Sequence, residues 1–111
     1  MARLRAVVVA LDSEGDVWAG ASVKFYAAGT AVSLGTATSG APFAGNLYAA
    51  VSGGSPISTT QTADARGTVI VFTDTKARFD VGIEPGGGVS ATVRAYESME
   101  FDPADVLSLL D

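Results

Sequence analysis

The sequence predicts an all-β domain: an immunoglobulin-like or transthyretin-like β-sandwich followed by a short C-terminal helix. Three observations carry that expectation. Apolar and polar residues alternate with period two in several short runs, the mark of a half-buried strand. The runs are separated by clusters of Gly, Pro, Asp and Ser, which turn a chain. No helical period interrupts this pattern before the C-terminus. At 111 residues there is room for one core, 48% hydrophobic and 17% charged residues fit a packed chain rather than a disordered one. The division expected is a sandwich module over 1–100 and a helical arm over 101–111.

In chain order, residues 3–11 and 17–26 read as two strands joined in a hairpin by Asp12, Ser13, Glu14, Gly15 and Asp16. The first is apolar on both faces from Ala6 onward, which suggests a central strand or one covered by a second layer. In the second, Val17, Ala19, Ala21, Val23 and Phe25 share one face and Ser22, Lys24 and Tyr26 the other. Short strands are expected near 31–36 and 46–51. Thr62 to Gly67 forms a turn, and Thr68 to Thr73 is β-branched and aromatic enough to form a strand. After Asp74 and Thr75, residues 76–83 alternate, with Ala77, Phe79, Val81 and Ile83 on one side. Pro85 and three glycines end that strand, and 89–96 alternate again. Asp102 caps, Pro103 opens and Asp105 favours a terminal helix whose Val106, Leu107 and Leu110 need a surface to dock on, in cis or on another subunit.

Composition narrows function. The chain has no His and no Cys, so the imidazole base, the thiolate nucleophile, the usual zinc sets and disulfides are absent. A net charge of −5 would repel a phosphate backbone, which argues against nucleic acid as a partner. No run approaches the roughly 20 apolar residues of a membrane-spanning helix, so no membrane partner is expected. The N-terminal Arg3, Arg5 and the apolar run after them imitate a signal peptide without its cleavage site, which points to synthesis and assembly in a cytoplasm.

Charge is also unevenly spread: from Phe25 to Ala63 there is no Asp, Glu, Lys or Arg. Such a stretch fits either loops hydrated by Ser and Thr or a surface lying against a neighbouring subunit, because interface cores are depleted of charge. On the second reading Leu34, Phe43, Leu47, Tyr48 and Ile57, together with Val106, Leu107 and Leu110, are the candidate interface residues.

Other chemistry is weakly signalled. Asp12, Glu14 and Asp16 share a turn, but they lack the spacing and the distal glutamate of a calcium loop. The remaining acids sit mostly in turns, which gives no basis for a paired-carboxylate glycosidase. Gly86, Gly87 and Gly88 precede a strand rather than a helix and are no phosphate loop. Trp18, Tyr26, Tyr48 and Tyr96 could stack on sugar rings if exposed together, and Trp18, Tyr26 and Tyr96 have the solvent-side parity of their strands. A glycan-binding module is therefore the alternative to a structural one. No catalytic residue, cofactor or metal is expected.

Three segments carry a family resemblance: Leu47 to Ile57, with a Tyr before a Gly-rich turn and Pro; Thr62-Ala63-Asp64-Ala65-Arg66-Gly67; and Arg78 to Gly87, with Phe79 followed by Asp80. Upstream, Asp12 to Gly15, Gly20 to Tyr26 and Gly29-Thr30 continue the pattern. Over about residues 3–90 the chain resembles a small β module of tailed-bacteriophage structural proteins. The resemblance implies a virion component without catalytic residues, often trimeric, attached to a major capsid or tail protein. Fibre proteins carrying the module are much longer, so this chain is expected to be an accessory protein, with capsid decoration favoured over a minor tail role.

Overall fold

A computed structural model describes residues 3–11, 15–34, 37–84 and 92–97. Eight strands follow in order: β1 (Leu4–Val9), β2 (Ser22–Ala27), β3 (Val32–Leu34), β4 (Ala37–Ser39), β5 (Thr60–Thr62), β6 (Thr68–Thr73), β7 (Arg78–Glu84) and β8 (Thr92–Glu97). All pairings are antiparallel: β1 with β6, β5-β2-β7-β8 as a four-stranded sheet, and β3 with β4. Among the described residues there is no helix, and the expected C-terminal helix over 102–111 lies outside them.

The period-two pattern explains how these strands share a core. Ala6 and Val8 of β1 and Val69 and Val71 of β6 point one way; Val23 and Phe25 of β2 and Phe79, Val81 and Ile83 of β7 meet them from the four-stranded sheet. The Phe79 ring is fully buried and receives Phe25 and Phe43 edge to face, at 5.2 and 5.6 Å between centroids. That geometry sets positive ring edge on negative ring face and adds to the area removed from water.

Two expectations are corrected here. Residues 3–11 and 17–26 do not form a hairpin: they meet only in an isolated bridge between Leu11 and Val17, and β1 and β2 lie in different sheets. Both strands have an apolar face, and those faces oppose each other across the core, which two hairpin neighbours in one flat sheet could not achieve. The connection is held by the Trp18 amide donating to Ala10 O at 2.9 Å and the Ala10 amide to Gly67 O at 2.7 Å. Gly67, at φ +72°, is needed at that crossing, because a Cβ there would lie 2.9 Å from both Ala10 O and Trp18 N. Nor is β1 central. Among the described residues it pairs with β6 alone, and Val7 and Val9 are 41% and 39% exposed.

The β3–β4 hairpin lies over the outer face of β2 and β7. The Ala31 amide donates to Asp80 Oδ2 at 3.1 Å, the Thr38 amide to Glu84 Oε1 at 2.7 Å, and the Tyr26 hydroxyl meets Thr38 Oγ1 at 2.9 Å. Side chains of solvent-side parity, Tyr26 and Asp80, are thereby buried. Gly82 sits beneath the hairpin: a Cβ there would meet Thr38 Oγ1 at 2.5 Å and Tyr26 Cε2 at 2.8 Å.

Candidate functional site

The uncharged stretch turns its largest side chains inward. Leu47 is fully buried in the core, Phe43 packs on Phe79, and the Ile57 amide donates to Leu47 O at 2.7 Å while Ile57 packs against the core. Tyr48 bridges to β6 through reciprocal amide bonds with Phe72, both 2.9 Å. As subunit contacts, Leu47 and Tyr48 are therefore corrected, and Phe43 and Ile57 serve chiefly to close the chain's own core. The physical reason is that β1 and β6 are too narrow a sheet to cover the four-stranded one, and residues 43–57 complete the cover. Leu34 ends β3. Val106, Leu107 and Leu110 lie outside the described residues.

Tyr48 also anchors a polar cluster. The Arg3 guanidinium stacks on its ring at 3.5 Å and donates to Ala50 O and Gly53 O at 3.1 and 2.7 Å. The Tyr48 hydroxyl donates to Asp74 Oδ2 at 3.0 Å, and Arg3 Nε lies 3.5 Å from Asp74 Oδ1. Nothing in the sequence pattern joins Arg3 to positions 48, 50, 53 and 74; the β1–β6 register, with Leu4 opposite Thr73, and the Tyr48–Phe72 bridge together bring them to one end of the molecule.

A second polar cluster ties the β3–β4 hairpin down. Glu84 accepts from the Thr38 amide and hydroxyl, and Lys24 Nζ reaches its Oε2 at 3.0 Å. The Thr38 amide first, and Lys24 after it, hold the Glu84 carboxyl below the ordinary carboxylate range against the opposing effect of burial. The bond to Glu84 raises Lys24 correspondingly. In the turn before β6, the amides of Thr68 and Arg66 donate to Asp64 Oδ1 at 3.0 and 2.8 Å and lower its pKa.

The aromatic set proposed for sugar stacking is not presented as a group. Tyr26 is buried under Thr38, which corrects its assignment as an exposed ring; Trp18 is half-buried and packs against the core. Tyr96 lies in β8, opposite Phe79 in backbone register, with its side chain outside the described part. Of the acidic turn, Asp12 and Glu14 lie outside the described residues, and among the described residues no three metal-ligating side chains cluster.

Two surfaces remain. One is the uncharged exterior between Ala28 and Thr62, where Val32 and Val51 are half exposed amid Ser, Thr, Gly and Ala. The other is the outer face of β1 and β6, where Val7 lies opposite Ile70 and Arg5 opposite Phe72, and Ile70 is 47% exposed. At its Arg3 end, Arg3, Arg5, Val51 and Phe72 line a cavity of about 230 Å³. The signal for this second face was in the sequence: β1 and β6 are each apolar at positions of both parities. In comparisons with family models, curated proteins and solved structures, the chain matches none.

Proposed function

We propose that this chain is a non-enzymatic structural module of a tailed-bacteriophage particle. It is an immunoglobulin-like or transthyretin-like sandwich that assembles with copies of itself, as a trimer, and attaches to a capsid or tail protein, with capsid decoration favoured. The virion assignment rests on the resemblance of residues 3–90. Its assembly rests on one structural observation: the exterior from Ala28 to Thr62 carries no charge, although the chain's largest uncharged anchors there are already used inside. A solvated surface of that extent ordinarily carries Lys and Glu, and their depletion is the compositional mark of surfaces that meet protein. Small residues let a partner backbone approach closely.

The test is mass by light scattering across micromolar concentrations, followed by Val32→Lys and Ser58→Glu, each of which adds one charge to that exterior. A concentration-stable oligomer that weakens in both variants is the expected result. A strict monomer at every concentration would overturn the self-assembly reading. Attachment is tested separately by co-sedimentation with particles, where hundreds of copies per particle indicate the head and a few indicate the tail.

A further inference from the structure

The outer face of β1 and β6 meets the uncharged exterior only at Val51, beside Arg5 and Phe72, and it calls for a cover of its own. Val7, Val9 and Ile70 are 41%, 39% and 47% exposed, and they are contiguous because Val7 and Ile70 are cross-strand partners. With Val51 at 53%, these side chains expose on the order of 300 Å² of apolar surface, the scale of the largest patch on an ordinary monomer. Stable association of two folded copies through it would need roughly 800 Å² from each. The patch suits a short segment better than a second domain.

The chain supplies such a segment. β8 ends at Glu97, which is paired with Arg78 at the start of β7. Asp74 to Ala77 link that point to Thr73, the partner of Leu4, so the chain leaves β8 at the Arg3 end of the β1–β6 face. β8 and β1 also approach within 8 Å between Cα atoms. Charge leans the same way: four of the seven cationic residues, Arg3, Arg5, Lys76 and Arg78, fall in or beside the strand ends at this point, against Asp74, which Arg3 engages. Residues 98–111 contain Glu100, Asp102, Asp105 and Asp111 and no Lys or Arg. Length fits as well, because six residues of β1 span about 17 Å and ten residues of helix about 15 Å.

We propose that residues 98–111 dock in cis on the outer face of β1 and β6. Val106, Leu107 and Leu110 cover Val7, Val9 and Ile70, and the acidic side chains face the cationic end. A tethered segment meets its own face at millimolar effective concentration, which favours cis over capture of another copy's segment. This proposal stands apart from the assembly reading and survives if the chain is a monomer.

The absence of native cysteine gives a clean test. In the full chain carrying Ile70→Cys and Leu107→Cys, brief oxidation by air with copper–phenanthroline, which leaves no adduct on a thiol, should give an intramolecular disulfide, seen as a monomer with no free thiol, at every protein concentration. A control pair, Thr60→Cys with Leu107→Cys, places the first thiol on β5 in the other sheet and should retain its free thiols. Disulfide-linked dimers from the first pair would assign the face to another copy's segment and overturn docking in cis. Persistent free thiols, or equal closure in the control, would overturn docking on this face. Independently, Ile70→Asp should raise amide exchange over 98–111 at least tenfold with β2 and β7 unchanged; unchanged exchange in 98–111 would count against the proposal.

Discussion

Replacing Gly82 by alanine separates two opposing effects whose signs differ. In an unobstructed strand, Gly to Ala stabilises by about 0.5–1 kcal/mol, because the unfolded chain loses freedom that glycine otherwise retains. Gly82 is not unobstructed. Its added Cβ would sit 2.5 Å from Thr38 Oγ1, 2.8 Å from Thr38 Cβ and 2.8 Å from Tyr26 Cε2. Those separations fall about 1 Å short of the distance at which carbon atoms attract. Thr38 cannot yield easily, since its amide and hydroxyl are bonded to Glu84 and its Oγ1 also meets the Tyr26 hydroxyl. Overpacking of this kind costs about 1–3 kcal/mol. The expected net effect is a loss of about 1 kcal/mol, near 4 °C in Tm for a chain of this length. Thermal unfolding followed by circular dichroism measures it, and in a Thr38→Gly background, which lacks two of the three close atoms, the same Gly82→Ala step should cost less than half as much. A Gly82→Ala protein as stable as the parent, or more so, would refute the packing of the β3–β4 hairpin on β7.

Three further outcomes follow from the clusters described. Glu84 is held below its ordinary range in the folded chain, so its contribution is fully present above the ordinary carboxylate pKa and is lost as pH falls through the folded value. Glu84→Gln should therefore cost about 1 kcal/mol at pH 7 and flatten the fall in Tm on acidification, whereas an unchanged acid limb would remove Glu84 as its source. Arg3→Ala should cost about 1–2 kcal/mol and speed amide exchange at 50–53, whose carbonyls it holds; exchange at parental rates there would show that the loop is fixed by other means. Phe79→Leu removes two edge-to-face contacts from a fully buried site and should cost about 2–3 kcal/mol in urea unfolding, with a loss below 0.5 kcal/mol contradicting the placement of that ring.

Local pattern was a good guide to strands and a poor one to their partners. β-branched and aromatic content located β6 at Thr68–Thr73, and alternation in the sequence placed β7 and β8 within a few residues. β5 was not legible: Thr60, Gln61 and Thr62 carry no apolar signal, and this edge strand exists because β2 offers it hydrogen bonds. The β1–β2 hairpin was inferred from a turn-forming cluster that in fact accompanies a crossing between sheets. Tyr26 and Asp80 have solvent parity, and the β3–β4 hairpin, which follows β2 closely but is distant in sequence from Asp80, buries them. For the candidate surfaces, the uncharged stretch was visible in the sequence but its large residues were assigned outward. The β1–β6 face was visible too, as apolar residues of both parities, which fitted a central strand or one covered by a second layer.

The pairing of β1 with β6 sets an order in time. Leu4 is opposite Thr73 and Ser22 opposite Glu84, so neither main sheet can form until most of the described chain has left the ribosome. Contacts this distant in sequence make folding slow and close to all-or-none, since each loop must be closed before its contacts give anything in return. Throughout that interval Ala6 to Ala10, with no charge or proline to interrupt them, remain open to other nascent chains. Yield during expression should therefore be governed by temperature and synthesis rate, and the sensitive segment is β1, which waits for β6.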